Sequence, residues 1–149
     1  MRIYLDICCF NRPFDDQSDL MVRLQTEAKL HVQAMIRESE LSLIWSAMMD
    51  IENAANPDLN RKMVIADWQQ LSVLDITVND QVEAVANTLV QIGVKPMDAL
   101  HIACALEAHA DYFLTTDKAL LRKMAKHQTL SVVDPIEFVR RLKEDNHEN

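Results

Sequence analysis

Glycine is almost missing from this chain, with Gly93 as its single example. Loops that depend on glycine for positive φ or for close backbone approach are therefore excluded. These include the G-x-G-x-x-G dinucleotide loop, the phosphate-cradling P-loop, the EF-hand calcium loop and the G-x-S-x-G nucleophile elbow. The H-E-x-x-H pattern of helical zinc proteases is missing as well. Cysteine is scarce: Cys8, Cys9 and Cys104 make an odd count without C-x-x-C spacing. Neither a disulfide framework nor a zinc knuckle is expected, and the thiols read as reduced. No apolar run reaches the ~18 residues of a membrane span. The opening "MRIYLDICCF" lacks the long apolar stretch and small-residue cleavage site of a signal peptide. A cytoplasmic protein without a membrane partner is expected. Positive charge is also in deficit: the formal net charge is -8. A sequence-independent electrostatic grip on nucleic acid needs clustered Lys and Arg, so any nucleic-acid contact must be local.

What is present is an alternation of two periodicities. With 49% hydrophobic residues the chain can bury a sizeable core. One domain is expected over residues 1–143, followed by a polar, frayed tail over 144–149. "RIYLD" (2–6), "LSLIWS" (41–46), "SVLDI" (72–76), "YFLTT" (112–116) and "LSVVD" (130–134) read as strands. Between the first two, Leu20, Leu24, Ala28, Val32 and Met35/Ile36 mark one face of a long helix. Asn56-Pro57 divides two helical segments, and Val82, Val85, Ala86, Leu89 and Val90 mark another helix that Gly93 can close. "PMDALHIACALEAHA" (96–110) is a helix apolar on most sides, which packs between neighbours. Ile136, Val139 and Leu142 mark a last helix after Pro135. This alternation predicts an α/β fold of three layers, α/β/α, around a parallel five-stranded sheet. Trp45, Trp68 and the methionines read as core or interface residues.

Four acids stand at telling places on that frame. Asp6 ends the first strand, Glu52 follows the second, Asp98 begins the apolar helix and Asp117 follows the fourth strand. Ligands of open parallel sheets bind beyond the carboxyl ends of the strands, so the four can converge at one edge. Two carboxylates ~6 Å apart repel by about 3 kcal/mol at an effective dielectric near 20, so such a cluster calls for protons or a hard cation. Mg²⁺ or Mn²⁺ suits all-oxygen ligands, and phosphodiester hydrolysis is the natural chemistry. Each acid also has a plain structural use. Asp117 can cap a helix starting at Lys118, Asp98 can favour a helix N-terminus, and Glu52 can be a solvated charge. Asp6 is harder to explain that way, because an acid closing a central apolar strand is costly to bury unpaired.

"YLD", then "DIEN" after the second strand, then "DALHIACA" and "ADYFLTTD", resemble the PIN-domain ribonucleases, a family that includes the toxins of VapBC-type toxin–antitoxin pairs and non-toxin relatives. The resemblance covers nearly the whole chain and is most specific from Asp98 to Asp117. It implies that Asp6, Glu52, Asp98 and Asp117 are the catalytic acids that bind Mg²⁺ or Mn²⁺. It also implies an RNA substrate, a possible antitoxin partner and a homodimer. One position departs from the family pattern: Cys8 stands where Ser or Asn is common. Asn11, in "NRPFDD", can supply the missing polar group or belong to a solvated loop with Arg12, Asp15 and Asp16.

Further candidates surround the acids. His101 lies one helical turn from Asp98 and can bond a ligand or move a proton, or be a satisfied core histidine. Of Thr115 and Thr116, Thr116 is favoured as the hydroxyl that holds a water at the site. Lys118, Arg122 and Lys126 recur every four residues, with Lys123 close by. This stripe can hold an RNA backbone, receive an acidic or C-terminal segment of an antitoxin, or be a solvated helix face. Two other functions compete with the ribonuclease. A magnesium-dependent phosphatase or phospho-acceptor domain needs an Asp nucleophile, and "DICC" lacks the second early Asp of haloacid-type phosphatases. A non-catalytic PIN-like binding module would accommodate Cys8 and the acidic charge.

Overall fold

A computed structural model of the chain describes residues 1–127 and 129–148, the side chains of 146–148 excepted. Five strands, β1 (Arg2–Leu5), β2 (Ser42–Ser46), β3 (Ser72–Ile76), β4 (Tyr112–Leu114) and β5 (Ser131–Val133), form one sheet in the order β3-β2-β1-β4-β5. Every pairing is parallel, with Tyr4 opposite Ile44 on one side and Phe113 on the other. Ile3, Tyr4 and Leu5 are all buried although they alternate between faces, so layers cover the sheet on both sides. The expected three-layer α/β/α fold is the one found. Among the described residues no helix is long and apolar enough to cross a membrane.

The helices are α1 (Ile7–Asn11), α2 (Leu20–Arg37), α3 (Ala47–Ala54), α4 (Leu59–Asp67), α5 (Asp80–Gln91), α6 (Pro96–Glu107), α7 (Lys118–Lys123) and α8 (Pro135–Glu148). Gly93 closes α5 as expected, at φ 100°, with its N–H bonded to Val90 O and the Val94 N–H to Leu89 O. The same left-handed closure ends α2 at Ser39 (φ 61°) and α6 at His109 (φ 53°). α6 therefore stops at Glu107, short of the expected residue 110. α8 runs to Glu148, through most of the segment expected as a tail, while Asn149 lies outside the described residues.

β1, β4 and β5 stop short of their apolar runs at the carboxyl ends, where Asp6 and Asp134 cap helices, Thr115 Oγ1–H donates to Asp6 and Thr116 N–H turns to Cys8 Sγ. The expected face of α2 holds only in its second half. Val32 and Ile36 are buried, whereas Leu20 and Leu24 are 59% and 45% exposed. In the first half Gln25, Thr26 and Lys29 point inward instead. Arg12 Nε–H donates to Gln25 Oε1 and Thr26 Oγ1–H donates to Arg12 O, while Lys29 lies over the rings of Phe10 and Trp68. Hydrogen bonds to the segment after β1 thus override the apolar stripe. Trp45 and Trp68 are core residues, as are Met48, Met49 and Met124.

Candidate metal centre

Strand order reverses between β1 and β4, and the two chain segments leaving these strands build one side of the site. Asp6 caps α1: Ile7 N–H donates to its Oδ1 at 2.8 Å, and Thr115 Oγ1–H donates to its Oδ2 at 2.8 Å. The backbone seals the junction, with Asp6 N–H bonded to Leu114 O at 2.9 Å. Burial pushes the Asp6 carboxyl above its ordinary value, against the opposing effects of His101 and the Thr115 hydroxyl, and Glu52 adds to the rise. Asp117 caps α7 through Oδ1, which accepts from Ala119 N–H and Leu120 N–H at 2.9 and 3.2 Å.

The other side comes from α3 and α6. His101, fully buried on α6, has Nε2 2.6 Å from Glu52 Oε2 and Nδ1 2.6 Å from the Tyr4 hydroxyl, which lies 2.6 Å from Ser46 Oγ. Ligand atoms of Asp6, Glu52 and His101 all lie within 4.8 Å of one another. Asp98, half-buried in the first turn of α6, joins them electrostatically. Burial raises its carboxyl first, followed by the negative charges of Asp6, Asp117 and Glu52, while His101 opposes. All four sequence-marked acids thus share one field, but among the described residues only Asp6, Glu52 and His101 bring donor atoms to ligand-sharing distance.

Other expectations fare differently. The hydroxyl beside the acids is that of Thr115, not Thr116. Thr115 Oγ1 donates to Asp6 and accepts from Asp117 N–H at 3.2 Å, whereas Thr116 offers its backbone N–H to Cys8 Sγ at 3.3 Å. Two-residue alternation in an extended segment places Thr115 and Asp117 on one side, a signal the sequence already carried. Asn11 Oδ1 is buried without a hydrogen-bond partner, and Cys8 itself contacts Asp6 Oδ2 at 3.5 Å and Thr115 Oγ1 at 3.4 Å. Lys118 and Arg122 are exposed on α7 immediately after Asp117, but the helix ends at Lys123, so Lys126 falls outside the four-residue stripe. Tyr4 and Ser46 went unmarked, although a tyrosine in the middle of a buried strand needs a partner for its hydroxyl.

The donor set fits a hard divalent cation. Two raised carboxyls, Asp6 and Asp98, are opposed by His101 rather than by Lys or Arg, and a bound cation would offset that repulsion. Carboxylate oxygens with one imidazole within reach are donors suited to a divalent cation.

The fold and its acids have relatives. A family model described as the PIN domain matches residues 3–127. No curated protein matches the chain. Among solved structures, VapBC2 from Rickettsia felis bound to a DNA fragment from its promoter is similar with a TM-score of 0.53 at 14% identity, covering 89% of this chain and 97% of that one. At that identity the likeness bears on the fold. The family match, by contrast, runs from β1 past the end of α7 and takes in every segment that supplies an acid, and the chain belongs to the PIN-domain family.

Proposed function

We propose that this PIN-domain chain is a metal-dependent endoribonuclease that hydrolyses RNA phosphodiester bonds, and that it is the toxin of a toxin–antitoxin pair. The observation that carries the proposal is the gathering of Asp6, Glu52 and His101 donor atoms within 4.8 Å, with the Asp98 carboxyl raised by burial and then by the charges of Asp6, Asp117 and Glu52. In this reading Asp6, Asp98 and Asp117 hold Mg²⁺ or Mn²⁺, and Glu52 either joins them or takes the proton of the attacking water. When bound, the ion supplies Lewis-acid polarisation of the phosphoryl oxygen and eases ionisation of water. The protein's own groups do the rest. Thr115 fixes the orientation of Asp6, and His101 steadies Glu52, whose side chain keeps 30% of its exposure and so remains reachable by water. Lys118 and Arg122, exposed beside Asp117, hold the RNA backbone or receive an acidic antitoxin segment. A VapBC structure among the similar folds supports the antitoxin partner. A homodimer and a cytoplasmic location complete the proposal.

A labelled RNA incubated with purified protein, with Mn²⁺, with Mg²⁺ and with chelator, tests this directly. Cutting should require the metal and vanish in Asp6→Asn and Asp117→Asn. Cleavage that persists in both variants, or none under any condition, would overturn it. Cys8 favours one second reading, a binding module without catalysis. That reading expects partner binding unchanged by Asp98→Asn and no cleavage by either protein.

A further inference from the structure

Behind the acids a hydrogen-bonded chain runs back into the sheet. Tyr4 lies in β1, Ser46 closes β2 and His101 lies in α6, and all three are fully buried. Their contacts with one another and with Glu52 are each 2.6 Å. Proton counting gives the chain a direction. The Glu52 carboxylate only accepts, so His101 Nε2 must carry a hydrogen. In the neutral ring Nδ1 is then a bare acceptor, and Tyr4 is the group placed to donate to it. The Tyr4 oxygen, with its own proton engaged, accepts from Ser46.

We propose that Tyr4 and Ser46 are positioning residues: Tyr4, its oxygen held by Ser46, donates to the bare Nδ1 of His101, holds the ring whose Nε2–H donates to Glu52, and so fixes that carboxylate at the cation site. This rests on reading the four acids as a cation site. It also assigns His101 a role outside the ion's own ligands, the alternative that its place within 4.8 Å of Asp6 and Glu52 would allow. The packing supports a pure hydroxyl effect. The Tyr4 ring is stacked on Phe113, with centroids 5.1 Å apart and an interplanar angle of 9°, and meets His101 edge-on at 5.7 Å. Phenylalanine keeps both contacts and loses the hydroxyl's bonds to Nδ1 and to Ser46 Oγ.

Long-range ¹H–¹⁵N correlation spectra of the metal-free full chain read the tautomer, the His101 signals being assigned by their loss in His101→Gln. The intact protein should show His101 protonated on Nε2 and bare on Nδ1. Tyr4→Phe should shift the His101 Nδ1 resonance, which loses its donor while Nε2 keeps its proton, and weaken Mn²⁺ binding, followed by electron paramagnetic resonance, by about tenfold. Ser46→Ala, which keeps the Tyr4 hydroxyl, should move both readouts the same way by a smaller factor, and it carries the test alone if Tyr4→Phe does not fold. An intact protein with its proton on Nδ1, or variants with an unchanged Nδ1 resonance and unchanged Mn²⁺ affinity, would overturn the proposal. Neither readout needs RNA. A protein whose Mn²⁺ affinity depends on Tyr4 but which cuts no RNA supports this proposal and sinks the ribonuclease, whereas metal-dependent cutting that ignores Tyr4→Phe does the reverse.

Discussion

Replacing Asp98 by asparagine separates a cation site from a chance meeting of acids. Burial and then the charges of Asp6, Asp117 and Glu52 raise the Asp98 carboxyl, and Asp6 is raised by burial and Glu52. A carboxyl raised in the folded state binds its proton more tightly there than in the unfolded chain. Its ionised form opposes folding above the folded pKa, and the opposition fades as pH falls through that value toward the ordinary one. For two carboxylates ~6 Å apart the repulsion is about 3 kcal/mol at an effective dielectric near 20. Asp98 is half-buried, and screening by solvent brings this to about 1 kcal/mol. Asparagine gives up roughly 0.3 kcal/mol of interaction with the N-terminus of α6. Metal-free Asp98→Asn should therefore be more stable by about 0.7 kcal/mol, or about 2 °C in Tm for a domain of this size. Metal inverts the order. At a free concentration of about 100 Kd a cation stabilises the native state by about 2.7 kcal/mol, and the variant, short of a ligand, should gain clearly less. Thermal unfolding followed by circular dichroism, in chelator and then in Mn²⁺, reads both quantities. Repetition under mildly acidic conditions should shrink the metal-free difference, because protonation of Asp98 does what the substitution does. A variant less stable than the parent without metal, or equally responsive to it, would refute the reasoning.

Thr115→Val removes the hydroxyl that orients Asp6 and should cost about 10–100-fold in Mn²⁺ affinity, whereas Thr116→Val should leave the affinity near that of the parent; equilibrium titration distinguishes them. Lys29 is 4% exposed, and burial pushes its ammonium down to about 7. Because the folded pKa is the lower one, stability should climb as pH rises from about 7 to about 10, and Lys29→Met should flatten that rise in urea titrations while adding about 2 kcal/mol at neutral pH. Ser39→Gly and His109→Gly relieve left-handed backbone at two helix ends, and each should raise stability by about 1 kcal/mol in the same titrations.

The sheet was legible because each strand is a short apolar run and parallel strands are buried on both faces, so their sequence carries the signal directly. The places of the four acids followed from the same fact, since strand ends in such a sheet share an edge. What escaped the sequence depends on partners distant along the chain. Leu20 and Leu24 look like core residues of α2, yet Arg12, 13 residues from Gln25, draws the polar face inward. The Glu52–His101 contact spans 49 residues and the Tyr4–His101 contact 97, and no local periodicity encodes such a meeting. Thr115 is a different case: the alternation that places it on the side of Asp117 was available, but its neighbour Thr116 is chemically identical and adjoins Asp117 directly.

The choice between helix cap and cluster member, which the sequence left open for Asp117, dissolves on physical grounds. Asp117 caps α7 through one oxygen and still contributes to the field that raises Asp98, Asp6 caps α1 while accepting from Thr115, and Asp98 stands in the first turn of α6. Three of the four acids are therefore at helix N-termini, where each gains roughly 0.3–1 kcal/mol from the helix dipole and the free N–H groups. That gain offsets part of the repulsion of about 1 kcal/mol per screened pair, which is how like charges can gather at one edge before any cation arrives. Glu52, in the body of α3, lacks this support and has His101 instead. The hydrogen-bonded chain through Tyr4 and Ser46 is thus found behind the one acid that no helix terminus steadies.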